Sequence, residues 1–318
     1  MKDYLCWIRS HVGSRKIILI YASAFIRDSY GRILLQRRSD FGWWGLPGGI
    51  LELDESLIDC IIREVWEETG LGVKPVNLIG VYSSPDFDVT YPNNDKVQQV
   101  TLCFECRILN GKLLINNNET LDLDWFYLDN IPPTSSWYRS MIGDSIKEKR
   151  SAFFRHSSIG KRIDNMSYYQ LIRKYIGHEL FIVPSSDAFI RDENGNILLI
   201  QRKDTGQWTT PGGLMELGER VDYTLISEVR EETGLLVEPE RLIGVYSDHD
   251  YLITYPNGDK IRPVSFLFKC NVVSGRLSAD GVEAMGAHFF SPGALPPLSK
   301  RQAIYIRDGL SNGEATIF

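Results

Sequence analysis

The chain contains the same long sequence twice. Displacing the 318-residue sequence by 164 positions aligns residues 4–133 with 168–297 without a gap, and 56 of these 130 positions are identical. A repeat of this length is a whole domain, because solenoid repeats are only about 20–50 residues long. The sequence therefore predicts two copies of one fold, residues 1–155 and 156–318, connected through the charged, serine-rich segment 145–162.

Each copy shows the same order of predicted elements. In the first copy, a short amphipathic helix (4–12) precedes two strands, a PGG loop (47–49) and a second helix. Long strands joined by a hairpin turn follow, and a last strand and a helical stretch after a Pro-Pro pair complete the copy. This pattern indicates the α+β class, with a mixed sheet in an α/β/α sandwich and the second helix on one face of the sheet.

Composition and charge narrow the class of protein. The chain is 43% hydrophobic with a net charge of −6, so no overall positive field attracts duplex nucleic acid. Its five cysteines are typical of reduced thiols, and Cys103 and Cys106 would point to opposite faces of a strand rather than share a metal. No apolar run approaches the ~20 residues of a membrane span, and the first residues lack the apolar core of a signal peptide. We therefore expect a cytoplasmic protein.

The helix after the PGG loop concentrates acidic residues. Glu64, Glu67 and Glu68 fall within an arc of about 100° on a helical projection. The opposite face is predicted to be buried and carries Ile58, Ile62, Val65 and Trp66. Because like charges four residues apart destabilise a helix, a positive partner is expected at the acidic face.

Three further features favour a metal ion over an ordinary solvated helix face. The glycines of the PGG loop allow a ligand to approach the backbone closely. Glu55 adds a carboxylate just before the helix. The second copy keeps the acidic positions although their neighbours differ, as Glu219, Glu228, Glu231 and Glu232. Carboxylates beside a backbone carbonyl are ligands suited to Mg²⁺ or Mn²⁺.

These residues carry a specific resemblance. Gly49, five residues, Glu55, seven residues and then Arg63-Glu64-Val65-x-Glu67-Glu68-x-Gly70-Leu71 is similar to the signature motif of the Nudix hydrolases. The similarity covers both copies, which is nearly the whole chain. It implies a divalent-metal-dependent enzyme that cleaves the pyrophosphate bond of a nucleoside diphosphate linked to another group.

The resemblance also implies roles for individual residues. In the first copy, the implied metal ligands are the Gly49 carbonyl, Glu64, Glu67, Glu68 and Glu119. In the second copy, they are Gly213, Glu228, Glu231 and Glu232. Arg63 is similar to the arginine that orients the glutamates of the motif, and Glu55 would support it. Glu119, six residues before Trp125, corresponds to a later-loop glutamate that serves as ligand or base, and Glu283 is its counterpart. Both Glu64 and Glu119 remain candidates for the general base, with Glu228 and Glu283 at the same positions of the second copy.

Two arginines are candidates for substrate binding. Arg38 and Arg202 end the strand before each PGG loop, where they would contact a phosphate or form a surface ion pair. Trp44 and Trp208, close to the same loop, are interpreted as core anchors rather than as substrate-stacking residues.

The copies are not equal. Ser227 stands at the position of Arg63, and losing a residue that supports metal ligands commonly costs about 10–100-fold in metal affinity or activity. We therefore expect the first copy to be the better catalyst and the second still to bind metal. Gly45-Leu46 also becomes Thr209-Thr210, Trp43 becomes Gln207 and Gln98 becomes Arg262. Either different ligands or simple drift explains these changes.

The expected partner is a small nucleotide, with no membrane and no duplex nucleic acid. ADP-ribose, a dinucleoside polyphosphate and a nucleoside triphosphate remain open as substrates. A nucleotide-sensing protein and an RNA 5′-end pyrophosphohydrolase are the alternative functions. A fused duplicate is expected to act as a monomer with an internal pseudo-dimer or as a homodimer.

Overall fold

A computed structural model describes residues 3–115, 118–147, 151–154, 167–249, 251–311, 313, 316 and 318. The chain separates into two compact units, Met1–Ser158 with Lys174–Ile176, and Ile159–Arg173 with Gly177–Phe318. The predicted boundary between residues 155 and 156 lies outside the described residues. No helix within the described parts of the chain combines the length and the apolar character needed to cross a bilayer.

The described residues of the first unit form two sheets. In chain order its elements are α1 (Tyr4–Val12), β1 (Ile17–Ile26), β2 (Ile33–Arg38), β3 (Trp44–Gly45), β4 (Gly48–Ile50), α2 (Leu57–Thr69), β5 (Leu71–Tyr82), a 3₁₀ helix (Pro85–Phe87), β6 (Val89–Thr90), β7 (Lys96–Gly111), β8 (Thr120–Phe126) and α3 (Ser136–Ser145). The larger sheet has the strand order β4-β1-β7-β5, with β6 also paired to β7. Only β1 and β7 in it run parallel. The smaller sheet, β3-β2-β8, is antiparallel.

The second unit repeats this topology. Its elements are α4 (Tyr168–Ile176), β9 (Phe181–Ile190), β10 (Ile197–Arg202), β11 (Trp208–Thr209), β12 (Gly212–Leu214), α5 (Val221–Thr233), β13 (Leu235–Tyr246), β14 (Ile253–Thr254), β15 (Lys260–Gly275), β16 (Ala284–Phe290) and α6 (Lys300–Leu310). The strand orders are β12-β9-β15-β13, with β14 on β15, and β11-β10-β16. The prediction of an α+β fold with a mixed sheet in two tandem copies is confirmed.

Local sequence signals define both ends of α2. The Ser56 hydroxyl accepts a hydrogen bond from the Asp59 backbone N–H, and the Asp59 carboxylate accepts one from the Ser56 N–H. This reciprocal capping box satisfies donors that the first helical turn leaves unpaired. Gly70 ends the helix with a φ of 73°, and its N–H donates to the Trp66 carbonyl. The helix therefore begins and ends where it can present its carboxylates to the PGG loop.

The predicted buried face of α2 is confirmed for Val65 but wrong for Ile62 and Trp66. Ile62 and Trp66 are 38% and 56% exposed, and Ile58 is only half-buried. The buried residues of the helix are Leu57, Cys60, Ile61, Val65, Glu68 and Thr69. The helix is rotated so that one acidic residue, Glu68, lies inside. Its burial is tolerated because two buried groups donate hydrogen bonds to its carboxylate.

The tryptophans beside the two PGG loops belong to the cores. Trp44 packs edge-on against Phe126 with 4.9 Å between ring centroids, and Trp208 packs in the same way against Phe290 at 4.8 Å. Each is partly buried against its unit's hydrophobic cluster. The interpretation of Trp44 and Trp208 as core anchors is confirmed. They hold the loop that precedes the acidic helix.

Candidate active site

The PGG loop lies directly against the acidic helix. A Cβ atom on Gly49 would collide with the Glu64 carboxylate, and one on Gly48 would collide with the Ala22 carbonyl oxygen. The second unit has the same arrangement, because a Cβ atom on Gly213 would collide with the carboxylate of Glu228. Gly49 and Gly213 are therefore required for the loop backbone to approach the helix, and Gly48 is required for the loop to approach β1. The result is a backbone cradle facing a carboxylate in each unit.

Arg63 connects three glutamates of the first unit. Its Nε and Nη2 donate to the two Glu55 carboxylate oxygens at 2.8 and 2.6 Å. Its Nη1 donates to Glu64 Oε1 at 2.8 Å and to Glu67 Oε2 at 3.2 Å, and Nη2 also donates to the Ile50 carbonyl. The paired bonds to Glu55 fix the plane of the guanidinium. Arg63 thereby holds Glu64 in one orientation.

Glu68 is the buried carboxylate of this site. Its side chain accepts hydrogen bonds from the Gly48 N–H at 2.7 Å and from Gln36 Nε2 at 2.9 Å. Burial, followed by the charge of Glu64, raises the pKa of Glu68 to about 8. Burial also raises the pKa of Glu64 to about 7, although Arg63 opposes this effect. Two such carboxyls favour a bound cation, which would stabilise their ionised forms.

Glu119 and Glu67 complete the acidic cluster at its exposed side. Glu119 lies near enough for its charge to contribute to the raised pKa of Glu64, and its carbonyl accepts from the Ser39 N–H at 2.8 Å. The Glu67 side chain is 54% exposed and contacts Arg63. The carboxylates at positions 67, 68 and 119 thus all lie near enough to Glu64 to interact with it electrostatically, and their role as metal ligands stays a prediction.

The second unit holds its carboxylates closer together. Oxygens of Glu228, Glu232 and Glu283 all lie within 4.8 Å of one another. Burial, followed by the charge of Glu231, raises the pKa of Glu228 to about 8. Burial raises the pKa of Glu232 to about 9, although a hydrogen bond from the Gly212 N–H opposes this effect. The Ser227 hydroxyl donates to Glu231 at 3.1 Å. This unit therefore keeps the metal-type cluster but not the arginine that spans the first one.

Glu219, the counterpart of Glu55, also has different partners. It is 3% exposed and accepts hydrogen bonds from the Thr224 hydroxyl at 2.8 Å and from the Glu216 N–H at 3.4 Å. A guanidinium bonds to Glu55 in the first unit, whereas a neutral hydroxyl bonds to Glu219 here. The carboxylate is retained, but its link to the acidic helix is changed.

Arg38 and Arg202 each form an ion pair. Arg38 Nη2 lies 2.7 Å from Asp40, and Arg202 Nη2 lies 2.7 Å from Asp204. Both arginines also lie near a buried carboxylate. The charge of Arg38 therefore lowers the pKa of Glu68 against the effect of burial, and Arg202 does the same for Glu232. The ion pair is thus present, and contact with phosphate remains a prediction.

Comparison with known proteins identifies the family. The model of the NUDIX domain matches residues 19–143 and 182–308. The chain belongs to the Nudix family. An ADP-ribose pyrophosphatase of Methanocaldococcus jannaschii is 37% identical over 142 residues, which are 43% of this chain and 78% of that protein. A putative 8-oxo-dGTP diphosphatase of Bacillus subtilis is 32% identical over 134 residues, covering 41% and 83%.

A solved structure is also similar. The crystal structure of an ADP-ribose pyrophosphatase from Streptococcus suis is 29% identical, with a TM-score of 0.35, and the match covers 43% of this chain and 98% of that one. With the family established, the prediction of a Nudix-type pyrophosphohydrolase is confirmed. The acidic helices α2 and α5 are the Nudix helices of the two units.

Sequence reasoning missed an aromatic cleft beside the Nudix helix of the first unit. This narrow cleft has a cavity volume of about 30 Å³ and adjoins Gly48 and Arg38. Its other lining residues include Tyr21, Phe41, Tyr91, Thr101, Trp137 and Tyr138. The Thr101 hydroxyl is buried and has no hydrogen-bond partner among the described residues. The cleft therefore offers ring surfaces and a polar group next to the carboxylates.

The second Nudix unit has charged and polar side chains at these positions. Arg301 replaces Trp137, donates to the hydroxyls of Ser265 and Tyr305, and lies 3.9 Å from Asp187. The Thr210 hydroxyl donates to Asp187 at 3.1 Å. Residues of the cleft come from separate elements, so no local motif announces them. Comparing the two copies position by position would have shown that Phe41, Trp137 and Tyr138 change to Thr205, Arg301 and Gln302.

Proposed function

We propose that the chain hydrolyses the pyrophosphate bond of a nucleoside diphosphate linked to another group, with a divalent metal ion, and that the first unit carries most of the activity. The observation that supports this most is Arg63, which connects Glu55, Glu64 and Glu67 beside the glycine cradle. In the second unit, Ser227 stands in its place. A held set of carboxylates can position a metal ion and a water molecule without reorganising during the reaction.

The donor set fits Mg²⁺ or Mn²⁺. All side-chain donors are carboxylates, and Gly49 lets the loop backbone lie directly against the Glu64 carboxylate, where a side chain would collide. The first unit would hold the metal through the Gly49 carbonyl, Glu64, Glu67, Glu68 and Glu119. The second would use Gly213, Glu228, Glu231 and Glu232, of which Glu228 and Glu232 lie close to Glu283. When bound, the ion supplies charge neutralisation at the phosphates and lowers the pKa of a water molecule.

The chain's own residues perform the remaining tasks. Glu64 or Glu119 accepts the proton of the attacking water, while Arg63 keeps Glu64 oriented and Glu55 holds Arg63. Arg38 contacts a substrate phosphate by exchanging its partner Asp40 for a phosphate oxygen. Arg202 has the same role in the second unit.

The rings that line the aromatic cleft contact the nucleoside part of the substrate. Phe41 and Trp137 line the cleft with Tyr138, and a nucleobase stacks favourably on such rings. Because Arg38 and Gly48 also border the cleft, a base bound there would leave its phosphates next to the carboxylates. The relatives named ADP-ribose pyrophosphatase make ADP-ribose the first substrate to test.

Hydrolysis assays on the purified chain test this function. The substrates are ADP-ribose, NADH, diadenosine polyphosphates, nucleoside triphosphates and nucleotide sugars, each with Mg²⁺, with Mn²⁺ and with EDTA. We expect one substrate to exceed the others at least about tenfold in kcat/KM, and EDTA to abolish its turnover. Absence of metal-dependent turnover on the whole panel would contradict the proposal.

The second unit supports a different function, namely ligand binding without turnover. Its carboxylate cluster is retained, but Ser227 replaces the arginine, and Arg301 and Asp187 occupy cleft positions that are Trp137 and Ser23 in the first unit. Calorimetric titration of non-hydrolysable ADP-ribose analogues into a chain with Glu67→Gln and Glu68→Gln would measure this binding. An absence of heat at millimolar ligand would eliminate the sensing role for this class of ligand.

A further inference from the structure

Gln36 on β2 connects two parts of the first site. Its side chain is fully buried, and its Nε2 donates one hydrogen bond to Glu68 Oε1 at 2.9 Å and another to the Thr120 hydroxyl at 2.8 Å. Thr120 is the first residue of β8 and directly follows Glu119. The Gln36 amide therefore joins the buried carboxylate of the Nudix helix to the strand that carries the later-loop glutamate.

The second unit lacks this connection. Ile200 stands at the position of Gln36 and Ala284 at that of Thr120, and both are buried in an apolar cluster with Ala287. Glu232, the counterpart of Glu68, accepts a hydrogen bond from the Gly212 N–H at 2.9 Å. The same fold thus packs this position either with an amide that reaches the carboxylate or with aliphatic groups that do not.

Folding alone does not favour the amide. Gln36 Oε1 is buried, and within the described parts of the chain it has no hydrogen-bond partner. An unsatisfied buried oxygen destabilises a protein, whereas Ile200 fills the same place with no polar atom to satisfy. The contribution of Gln36 must therefore be sought in what its Nε2 holds.

We propose that Gln36 is a positioning residue of the first unit, which fixes the Glu68 carboxylate for metal binding and sets its place relative to Glu119. The inference rests on the proposed function for the role of Glu68 as a metal ligand. Two donors, Gly48 N–H and Gln36 Nε2, bind different oxygens of this carboxylate and so define its plane. Without Gln36, one donor remains, and the carboxylate is free to rotate about its last bond. Partners of metal ligands commonly contribute about 10–100-fold to metal affinity.

The test is Mn²⁺ binding by the full chain, measured by electron paramagnetic resonance. The second site is first disabled by Glu228→Gln and Glu232→Gln, and Gln36→Ile then copies the second unit into the first. We expect the Kd for Mn²⁺ to rise about 10–100-fold. A folded Gln36→Ile protein whose Kd stays within about twofold of its parent would overturn the inference, even if its melting temperature changed.

Thr120 provides a second variant should Gln36→Ile fail to fold. Thr120→Val removes the hydroxyl with little change of shape, whereas Thr120→Ser keeps it. We expect Thr120→Val to weaken Mn²⁺ binding more than Thr120→Ser does. Equal affinities of the two variants would count against the connection between Gln36 and β8.

The second unit allows the reverse experiment. In a chain whose first site is disabled by Glu64→Gln and Glu68→Gln, Ile200→Gln with Ala284→Thr installs the amide and its hydroxyl partner. Mn²⁺ is expected to bind more tightly than in the parent, and unchanged or weaker binding opposes the inference.

These readouts do not need turnover. Gln36-dependent Mn²⁺ binding in a chain that hydrolyses nothing would leave the inference standing and remove the proposed function, and hydrolysis with Gln36-independent binding would do the reverse.

Discussion

Arg63 shows how much a single side chain contributes to this site. It pairs with Glu55, Glu64 and Glu67, and its own side chain is only 30% exposed. In a chain whose second site is disabled, Arg63→Ser should lower kcat about 10–100-fold, because the three carboxylates lose the guanidinium group that orients them. Arg37→Ser, at an exposed position of β2, is the control and should change kcat less than about twofold. Equal rates for both variants would refute the orienting role.

The buried carboxyls at residues 64 and 68 predict a pH-dependent affinity for metal. Burial raises their pKa values to about 7 and 8, above the ordinary value of 4.5, so at pH 6 both bind protons in the metal-free protein. A metal ion binds the ionised carboxylates and must displace these protons. The Kd for Mn²⁺ should therefore fall at least about tenfold from pH 6 to pH 8. Calorimetry in two buffers of different ionisation enthalpy measures the proton release directly, and release of no protons at pH 6.5 would contradict this argument.

At the scale of elements, the orientation of α2 is the main result that the sequence did not predict. Ile61 is fully buried and Trp66 is 56% exposed, the opposite of what a simple apolar face suggested for Trp66. Ile61→Ala should lower the free energy of unfolding by about 2–5 kcal/mol through the cavity it leaves. Trp66→Arg, which copies Arg230 of the second unit, should change it by less than about 0.5 kcal/mol. Urea unfolding of the two variants measures both values. A larger loss of unfolding free energy for Trp66→Arg than for Ile61→Ala would mean that Trp66 lies on the buried face after all.

What the sequence could and could not predict follows from the range of the interactions. The boundaries of α2 depend on Ser56, Asp59 and Gly70, which lie within or beside the helix, so a local sequence pattern contains the signals that define them. The burial of Glu68 depends on donors 20 and 32 residues away in the chain, Gly48 and Gln36, and no helical projection includes them. The aromatic cleft is harder still, because its residues come from several strands, a loop and α3.

At the scale of the whole molecule, two units of one fold carry sites of different chemistry. The first has an arginine across its carboxylates and rings around its cleft. The second has three carboxylates close together, no residue like Arg63 at position 227, and the Arg301 network in place of the rings. Duplication followed by substitution at the sites explains why the strand orders agree while the pockets differ.

This difference predicts which unit turns substrate over. Glu67→Gln with Glu68→Gln should remove most of the hydrolysis by the full chain, because two of the proposed metal ligands lose their charge, and one of them lies beside Arg63. Glu231→Gln with Glu232→Gln, the same change in the second unit, should leave more than about half of kcat, since Ser227 does not orient that cluster as Arg63 does. Assays of both double variants with the best substrate, at saturating Mg²⁺ and with circular dichroism as the check on folding, decide the matter. If activity survived in the first variant and disappeared in the second, catalysis would belong to the second unit, and the ring-lined cleft would have to serve binding instead.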